Sequence, residues 1–270
     1  MAVAVNQLTP FPAANQLLKE LLASVQAILG IHFIGLYLDG SLASGDFDQA
    51  SDIDFVVVSA SEITGSLYTA LQAMHDRLAT SDSPWAVNLE GTYISQRALR
   101  RYDPAEGPHP NLERGRGERL KMVLPGAAWN IHRWVLRERG IVLAGPAPHT
   151  LIDPVAPDDL RQGALKELHG WIADRLSGLG DTQRGGQSYL VLTLCRILVT
   201  LENGSIASKP AAARWAEATL GERWVPLIES ALEGRHHPGL AVSPEDEQGT
   251  LDFIRFARER SRPFPTAGAT

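Results

Sequence analysis

The sequence has little of several features that mark particular classes of protein. A single cysteine, Cys195, excludes an internal disulfide and favours a reducing cytoplasm as the location. The formal net charge of −6 argues against a nucleic-acid partner, which usually requires a basic surface. No apolar stretch approaches the roughly 20 residues of a membrane span, and the N-terminus lacks the basic segment of a signal peptide. These absences predict a soluble cytoplasmic protein that binds neither membranes nor nucleic acids.

The chain has enough apolar sequence to form substantial cores. Of its 270 residues 44% are hydrophobic, which suits one large or two small globular domains. A connection punctuated by prolines near residues 150–157 separates a half with mixed strand and helix patterns from a half with helical patterns alone. We predict an α/β domain over residues 1–155, with a mixed sheet and flanking helices. An all-α helical bundle is predicted over 156–262 and a disordered tail over 263–270.

Hydrophobic periodicity locates the main elements. Helices are predicted over 14–29 and 62–79, with His75 on the solvated face of the second, and a strand over 85–94. The Arg-, Gly- and Pro-rich residues 95–125 have no clean period and are predicted to form a long loop. The remaining predictions are a helix over 127–139, a strand over 141–146, and helices over 158–176, 186–202, 209–219, 224–232 and 244–260.

The stretch from Gly40 to Asp54 joins two apolar strands and carries two closely spaced carboxylates. If the second strand begins at about Ser51, Asp52 and Asp54 project from one face of it. Two like charges that close repel strongly unless a cation lies between them. Mg²⁺ is commonly held by one or two carboxylates while substrate phosphates complete its octahedron. The sequence therefore indicates a magnesium site, although such a pair also occurs at solvated strand edges.

The same stretch begins with Gly40 and Ser41, whose backbone N–H groups and hydroxyl suit a phosphate. A Gly-Ser pair, followed by Ser-Asp-x-Asp entering a Val-rich strand, resembles the nucleotidyltransferase superfamily of polymerase-β type. The resemblance implies that Asp52 and Asp54 hold the metals that carry a nucleoside triphosphate. It also implies a third carboxylate on a neighbouring strand, and Glu90, one predicted helix further along, fits that order. The alternative for Glu90 is an ordinary surface charge.

A segment of the second half narrows the resemblance. Leu190–Leu198, then Gly204–Lys209 and Ala212–Ala216, resemble the aminoglycoside nucleotidyltransferases that adenylylate streptomycin and spectinomycin. Together with the N-terminal motif, the resemblance spans most of the chain. It implies Mg²⁺-dependent transfer of AMP from ATP to a hydroxyl of a small aminoglycoside or aminocyclitol, with release of pyrophosphate. We expect the enzyme to be a monomer.

The resemblance also implies a role for particular residues. Gly40, Ser41 and Ser51 match positions that bind the nucleotide's phosphates, Asp52 and Asp54 match the metal ligands, and Glu90 matches the general base. Arg196 and Lys209 match basic residues that reach the triphosphate from the helical domain. An arginine in an otherwise apolar helix is costly to bury unless it meets an anion. For Arg196 the alternative anion is an internal partner such as Glu202.

Several points stay open at this stage. Between Ser177 and Gln187 the chain has Asp181 but no tryptophan, although streptomycin-modifying relatives use Trp and Asp side chains there, so a protein side chain or another hydroxyl remains an alternative acceptor. A nucleotide-binding regulatory protein without turnover is a third hypothesis, which the intact carboxylates argue against. The basic cluster of Arg114, Arg116, Arg119 and Lys121 either steers a nucleotide or is a solvated charge run. His132 either faces a cleft or packs within its helix.

Overall fold

The structure is a computed structural model that describes residues 8–177 and 183–264, with the backbone alone for 171–177. The chain divides into two compact units, Met1–Val155 and Ala156–Thr270. None of the helices in the described ranges is both long enough and apolar enough to cross a membrane.

The first unit is built on a mixed sheet with the strand order β5-β4-β3-β2-β1-β6. Its strands are β1 (Phe33–Leu38), β2 (Ile53–Ser59), β3 (Leu89–Ser95), β4 (His109–Leu112), β5 (Lys121–Val123) and β6 (Ile141–Ala144). The central pair β2 and β3 is parallel, whereas the other neighbouring strands run antiparallel. A parallel pair needs a long crossover, and the helix between β2 and β3 supplies it.

Helices cover both faces of this sheet. They are α1 (Pro12–Leu29), α2 (Gly40–Ser44), α3 (Gly65–Ala79), α4 (Gln96–Arg100), α5 (Trp129–Arg139) and α6 (Pro148–Leu151). Alternate residues of β2 face opposite sides, so Phe55 and Val57 pack into the cluster that contains α1 and α3. Val56 and Val58 pack into a second cluster with residues of α4, α5 and α6. The consecutive valines of β2 are therefore a strand buried on both faces.

The second unit consists of helices arranged around one central helix. They are α7 (Pro157–Ser177), α8 (Arg184–Asn203), α9 (Lys209–Thr219), α10 (Val225–Gly234) and α11 (Pro244–Ser261). The central helix α8 packs against each of the other four, which explains why its residues are apolar almost all round. Cys195 lies in its buried part, and burial raises the pKa of the thiol to about 12. The predicted fold class, an α/β domain followed by helices, is confirmed.

Two predictions about the first unit are wrong. Residues 95–125 contain α4, β4 and β5 in place of a long loop, because strands this short show no period in the sequence. His75 is buried and not solvated: its Nε2 lies 2.6 Å from the Tyr93 hydroxyl, and its ring stacks on Phe55. Element boundaries shift by a few residues elsewhere, and β3 begins at Leu89 after the 3₁₀ turn Ala86–Asn88.

Two further predictions concern residues outside the described ranges. Asp181, noted in the segment that the resemblance links to the acceptor, lies outside the described residues. Of the predicted disordered tail, residues 265–270 are likewise undescribed, while Phe264 packs against the core of the second unit.

Burial of His75 contributes stability that is lost on acidification, with a sign opposite to that of the buried Asp54, whose pKa is raised to about 7. Burial lowers the pKa of His75 from 6.5 to about 4, so between these values the unfolded chain binds a proton that the folded chain does not. The contribution of His75 is therefore fully present above pH 6.5 and falls as the pH drops toward 4, by at most about 1.4 kcal/mol per pH unit. Gln cannot titrate, so urea unfolding followed by circular dichroism should show that His75→Gln loses less stability on acidification from pH 6.5 to 4 than the wild type, whose other titratable groups are the same, a difference of up to about 1.4 kcal/mol per pH unit.

The matched control is His237→Gln, because His237 is exposed. His109 is also buried, with a pKa lowered to about 4, and should leave part of the slope in the His75 variant. An unchanged slope in His75→Gln would mean that the buried imidazole accepts a proton without loss of the fold.

Candidate active site

The turn between β1 and β2 brings the Gly-Ser pair against the start of β2. The Asp39 backbone N–H donates to the Asp54 carbonyl at 3.0 Å, which ties the end of β1 to β2. Gly40 then opens the one-turn helix α2 with φ of +58°, a left-handed value that favours glycine. The predicted turn is therefore a short helix that begins beside the carboxylates.

Gly40 has a second reason to lack a side chain. A Cβ atom on Gly40 would lie 1.8 Å from Oδ2 of Asp54, far inside van der Waals contact. The Asp54 carboxylate thus fills the space that a side chain at residue 40 would take. This close approach brings the N–H groups of α2 and the carboxylate of β2 into one small region.

The register of the two parallel strands places Glu90 beside Asp54. These residues are direct partners across β2 and β3, so their side chains leave the same face of the sheet about 5 Å apart at the backbone. Asp52 lies just before β2, which begins at Ile53 and not at Ser51 as predicted. The fold therefore brings Asp52, Asp54 and Glu90 together.

Carboxylate crowding perturbs two of these groups. Burial, and then the charges of Asp39, Glu90 and Asp52, raise the pKa of Asp54 to about 7. The pKa of Glu90 is raised by burial and by Asp52. Excess negative charge of this kind is relieved by a cation, and carboxylate oxygens suit Mg²⁺.

The donor set leaves room for ligands from a substrate. In residues 8–177 and 183–264, no group of three or more His, Cys, Asp or Glu side chains is arranged to hold a metal by itself. Mg²⁺ keeps several ligands from water and phosphate and needs only one or two carboxylates. Asp52 and Asp54 therefore fit a magnesium ion that is completed by a triphosphate.

Asp52 forms an ion pair with Arg114, a residue whose role the sequence did not decide between nucleotide steering and a solvated charge. Nη1 of Arg114 lies 2.8 Å from Oδ1 and 2.9 Å from Oδ2 of Asp52. Arg114 also lowers the pKa of Glu90 through its charge. Of the predicted basic cluster, Arg119 and Lys121 instead pair with acidic residues of the surface.

A histidine and a buried aspartate form the opposite part of the site. Nδ1 of His132, on α5, lies 3.0 Å from Oδ2 of Asp39, and an N–H at this position donates to the carboxylate. The Asp39 side chain is only 5% exposed, whereas that of His132 is 57% exposed. The His132 charge lowers the pKa of both Asp54 and Glu90, so His132 belongs to the site and does not merely pack within its helix.

The two predicted phosphate-binding serines differ in their surroundings. The buried Oγ of Ser41 has no hydrogen-bond partner among the described residues, as expected for a hydroxyl that awaits a ligand. Ser51 donates from its Oγ to the Asp48 carboxylate and accepts from the Asp48 backbone N–H, both at 3.0 Å. Ser51 thus closes the turn before β2, and its contact with phosphate stays a prediction.

Arg196 and Lys209 lie in the second unit, on α8 and at the start of α9. Glu202, the internal partner considered for Arg196, pairs instead with Arg260 at 2.5 Å. The Arg196 side chain is partly buried and forms no ion pair with any residue that the structure describes. Nζ of Lys209 lies 5.0 Å from the centre of the Tyr189 ring. Their contact with a triphosphate stays a prediction.

Sequence reasoning missed Asp39 and left His132 and Arg114 undecided. Asp39 is an acidic residue at the end of an apolar strand, directly before Gly40, and that position was the available signal. His132 and Arg114 are 93 and 62 residues from their partners in sequence, and no local pattern records such pairings.

Comparison with known proteins finds two family models in chain order. One, described as a nucleotidyltransferase domain, matches residues 18–82. The other, described as the C-terminal domain of aminoglycoside adenylyltransferase, matches residues 150–257. The first match includes both aspartates, and the second includes Arg196 and Lys209.

Named relatives match over most of their length. A spectinomycin 9-adenylyltransferase of Campylobacter jejuni is 27% identical over 81% of this chain and 84% of its own. An aminoglycoside (3'') (9) adenylyltransferase of Escherichia coli is 29% identical over 88% and 92%. A solved structure of spectinomycin adenyltransferase AAD(9) from Enterococcus faecialis, with ATP and spectinomycin, is similar in fold. Its TM-score is 0.71 at 18% identity, over 92% of this chain and 98% of that one.

Gly40→Ala and Gly45→Ala form a matched pair that tests the packing of Asp54. Gly45 has φ of +77° with open space around it, so alanine there costs about 1 to 2 kcal/mol for the left-handed backbone alone. Alanine at residue 40 incurs the same backbone cost and must also displace the Asp54 carboxylate, which adds about 1 to 3 kcal/mol. Urea unfolding should therefore show the larger loss for Gly40→Ala. Equal losses would mean that Asp54 moves aside freely.

Proposed function

We propose that this chain is an aminoglycoside adenylyltransferase, which transfers AMP from ATP to a hydroxyl of streptomycin, spectinomycin or a similar antibiotic. The observation that carries the proposal is the parallel register that sets Glu90 beside Asp54, at the start of the Gly40–Ser44 helix. One face of the sheet thereby presents a base, a pair of metal-binding carboxylates and the N–H groups for a phosphate.

Glu90 acts as the general base toward the acceptor. Its carboxylate takes the proton of the antibiotic hydroxyl while that oxygen bonds to the α-phosphorus of ATP. The bond from the α-phosphorus to the oxygen that bridges to the β-phosphate breaks, and pyrophosphate leaves with the electron pair. Burial and Asp52 raise the pKa of Glu90, which makes it a stronger base than an exposed glutamate.

Asp52 and Asp54 hold Mg²⁺ in this proposal. The ion, when bound, supplies positive charge to the triphosphate and so favours departure of pyrophosphate. Ser41 offers its unpartnered hydroxyl, and the N–H groups of α2 offer further donors, to the phosphate oxygens. Asp39 anchors this helix to β2 through its backbone N–H.

Arg196 and Lys209 are proposed to bind the triphosphate from the helical unit. Arg196 lies in the largely apolar helix α8, and Glu202, its possible internal partner, is paired with Arg260. A partly buried guanidinium gains most from an anion that arrives with the substrate.

A second acceptor class rests on one observation. The segment between Ser177 and Gln187 lacks the tryptophan that the resemblance to streptomycin-modifying enzymes implies there. A protein side chain or another small-molecule hydroxyl as the acceptor would keep every catalytic residue named above. Acceptor screening therefore distinguishes the two classes, since the chemistry at phosphorus is the same.

The proposal is tested by incubating the protein with α-³²P-ATP, Mg²⁺ and a panel of aminocyclitols and aminoglycosides. We expect labelled antibiotic and free pyrophosphate, and neither product when EDTA removes the metal. Parallel reactions with labelled GTP and CTP report the nucleotide preference. Label on protein with none on any antibiotic would favour the second acceptor class, and no transfer to either would contradict both.

Glu90→Gln separates a base from a metal ligand. A general base acts only in the chemical step, so the variant should bind Mg²⁺ and ATP within a few-fold of wild type while kcat falls by about 10² to 10⁴. Calorimetry measures the binding and single-turnover kinetics measures the chemistry. A large loss of nucleotide affinity would make Glu90 a metal ligand, and an unchanged rate would remove it from the site.

Arg196→Ala should weaken ATP binding and leave the KM for the antibiotic nearly unchanged. A charged contact to phosphate contributes about 1.5 to 3 kcal/mol, so the Kd for ATP should rise by one to two orders of magnitude. Arg214→Ala is the control, because it removes the same charge from an exposed position on α9. If calorimetry finds equal ATP affinities for both variants, Arg196 does not reach the triphosphate.

A further inference from the structure

Arg114 forms hydrogen bonds to the carboxylate oxygens with which Asp52, a proposed metal ligand, would coordinate the metal. A single guanidinium nitrogen, Nη1, contacts both carboxylate oxygens of Asp52, at 2.8 and 2.9 Å. The same oxygens are those that Asp52 must offer to a magnesium ion. A cation that binds Asp52 therefore has to compete with this guanidinium.

Two further observations place Arg114 within the carboxylate site. The positive charge of Arg114 lowers the pKa of Glu90, whereas the negative charge of Asp52 raises it. Asp52 is 21% exposed at its side chain and Arg114 is 50% exposed. The ion pair is thus open to solvent on one side, where the guanidinium can leave.

The backbone that carries Arg114 is held independently of the ion pair. Arg114 lies between β4 and β5, and the N–H of the next residue, Gly115, donates to the Val87 carbonyl at 2.9 Å. Further along, the Leu120 N–H donates to the Gln72 side chain at 2.9 Å. The long side chain of Arg114 can therefore exchange partners while its backbone stays in place.

We propose that Arg114 is an exchangeable counter-ion of the active site, which neutralises Asp52 until the metal binds and then pairs with the triphosphate. The proposal rests on the proposed function, because it takes Asp52 as a metal ligand and a nucleotide as the substrate. A guanidinium displaced from a carboxylate beside a polyanion has phosphate oxygens as its best alternative partners. Arg114 is then a nucleotide-binding residue that the motif does not contain.

The proposal predicts opposite effects of one substitution on two affinities. Arg114→Ala removes the competitor for Asp52, so Mn²⁺ alone should bind about two- to fivefold more tightly, as expected for loss of an exposed ion pair. The same variant lacks a phosphate contact, so the Mg²⁺ complex of α,β-methylene-ATP should bind about tenfold more weakly, near the lower limit for a charged hydrogen bond.

Electron paramagnetic resonance of free Mn²⁺ measures the first affinity, and calorimetry measures the second. Arg116→Ala is the matched control, since Arg116 is exposed on the same loop and neither an ion pair nor a hydrogen bond links its side chain to the described residues. A general effect of charge would change both variants alike. Of the two variants, only Arg114→Ala should therefore bind the metal more tightly and the metal nucleotide more weakly than the wild type.

Each contrary result has a distinct meaning. Unchanged or weaker Mn²⁺ binding in Arg114→Ala overturns the counter-ion role, and tighter binding of both ligands overturns the transfer to phosphate. If Arg116→Ala changes both affinities as much as Arg114→Ala does, the effects arise from net charge and the proposal is overturned. If the wild-type protein binds no Mn²⁺ but transfers AMP, the metal assignment and this inference fail while the adenylyltransferase activity stands.

Discussion

Repulsion among four carboxylates is the constraint that the structure of the first unit has to satisfy. Asp39, Asp52, Asp54 and Glu90 come from the end of β1, the turn before β2, β2 itself and β3, and their charges act on one another. Crowding of this kind disfavours folding unless the surrounding structure offsets it. The offset comes from Arg114, which pairs with Asp52, and from His132, which hydrogen-bonds to Asp39. The candidate site is therefore a balance of charges, which the proposed metal nucleotide would shift on binding.

The sheet accommodates this unfavourable cluster because its centre is apolar on both faces. Phe55 and Val57 pack on one side of β2 while Val56 and Val58 pack on the other. Hydrophobic burial of about 1.5 to 3 kcal/mol for each such side chain is available to hold the acidic end of the strand in place. The parallel pairing of β2 with β3 then keeps Glu90 beside Asp54, since a slip of one residue would turn Glu90 to the opposite face.

A local motif in the sequence is enough to indicate some residues of the candidate site. The Gly-Ser pair, the two aspartates and the order of a third carboxylate are all short-range or ordered along the chain, and the structure brings Asp52, Asp54 and Glu90 together. Asp39, His132 and Arg114 depend on contacts between distant segments, which periodicity does not encode. His75 was misplaced for a related reason: a polar residue on a helix suggests solvent, but the Tyr93 hydroxyl provides a buried partner. The short strands β4 and β5 were missed because neither is long enough to show alternation.

Because Cys195 is buried, the protein should react only slowly with thiol reagents. The chain has one cysteine, it lies inside the helical core, and burial raises its pKa to about 12. Maleimides and other electrophiles react with thiolate, which is scarce at neutral pH for such a group. An introduced surface cysteine would then be the single reactive position, so a fluorophore or spin label could be attached beside the active site without first removing a native thiol.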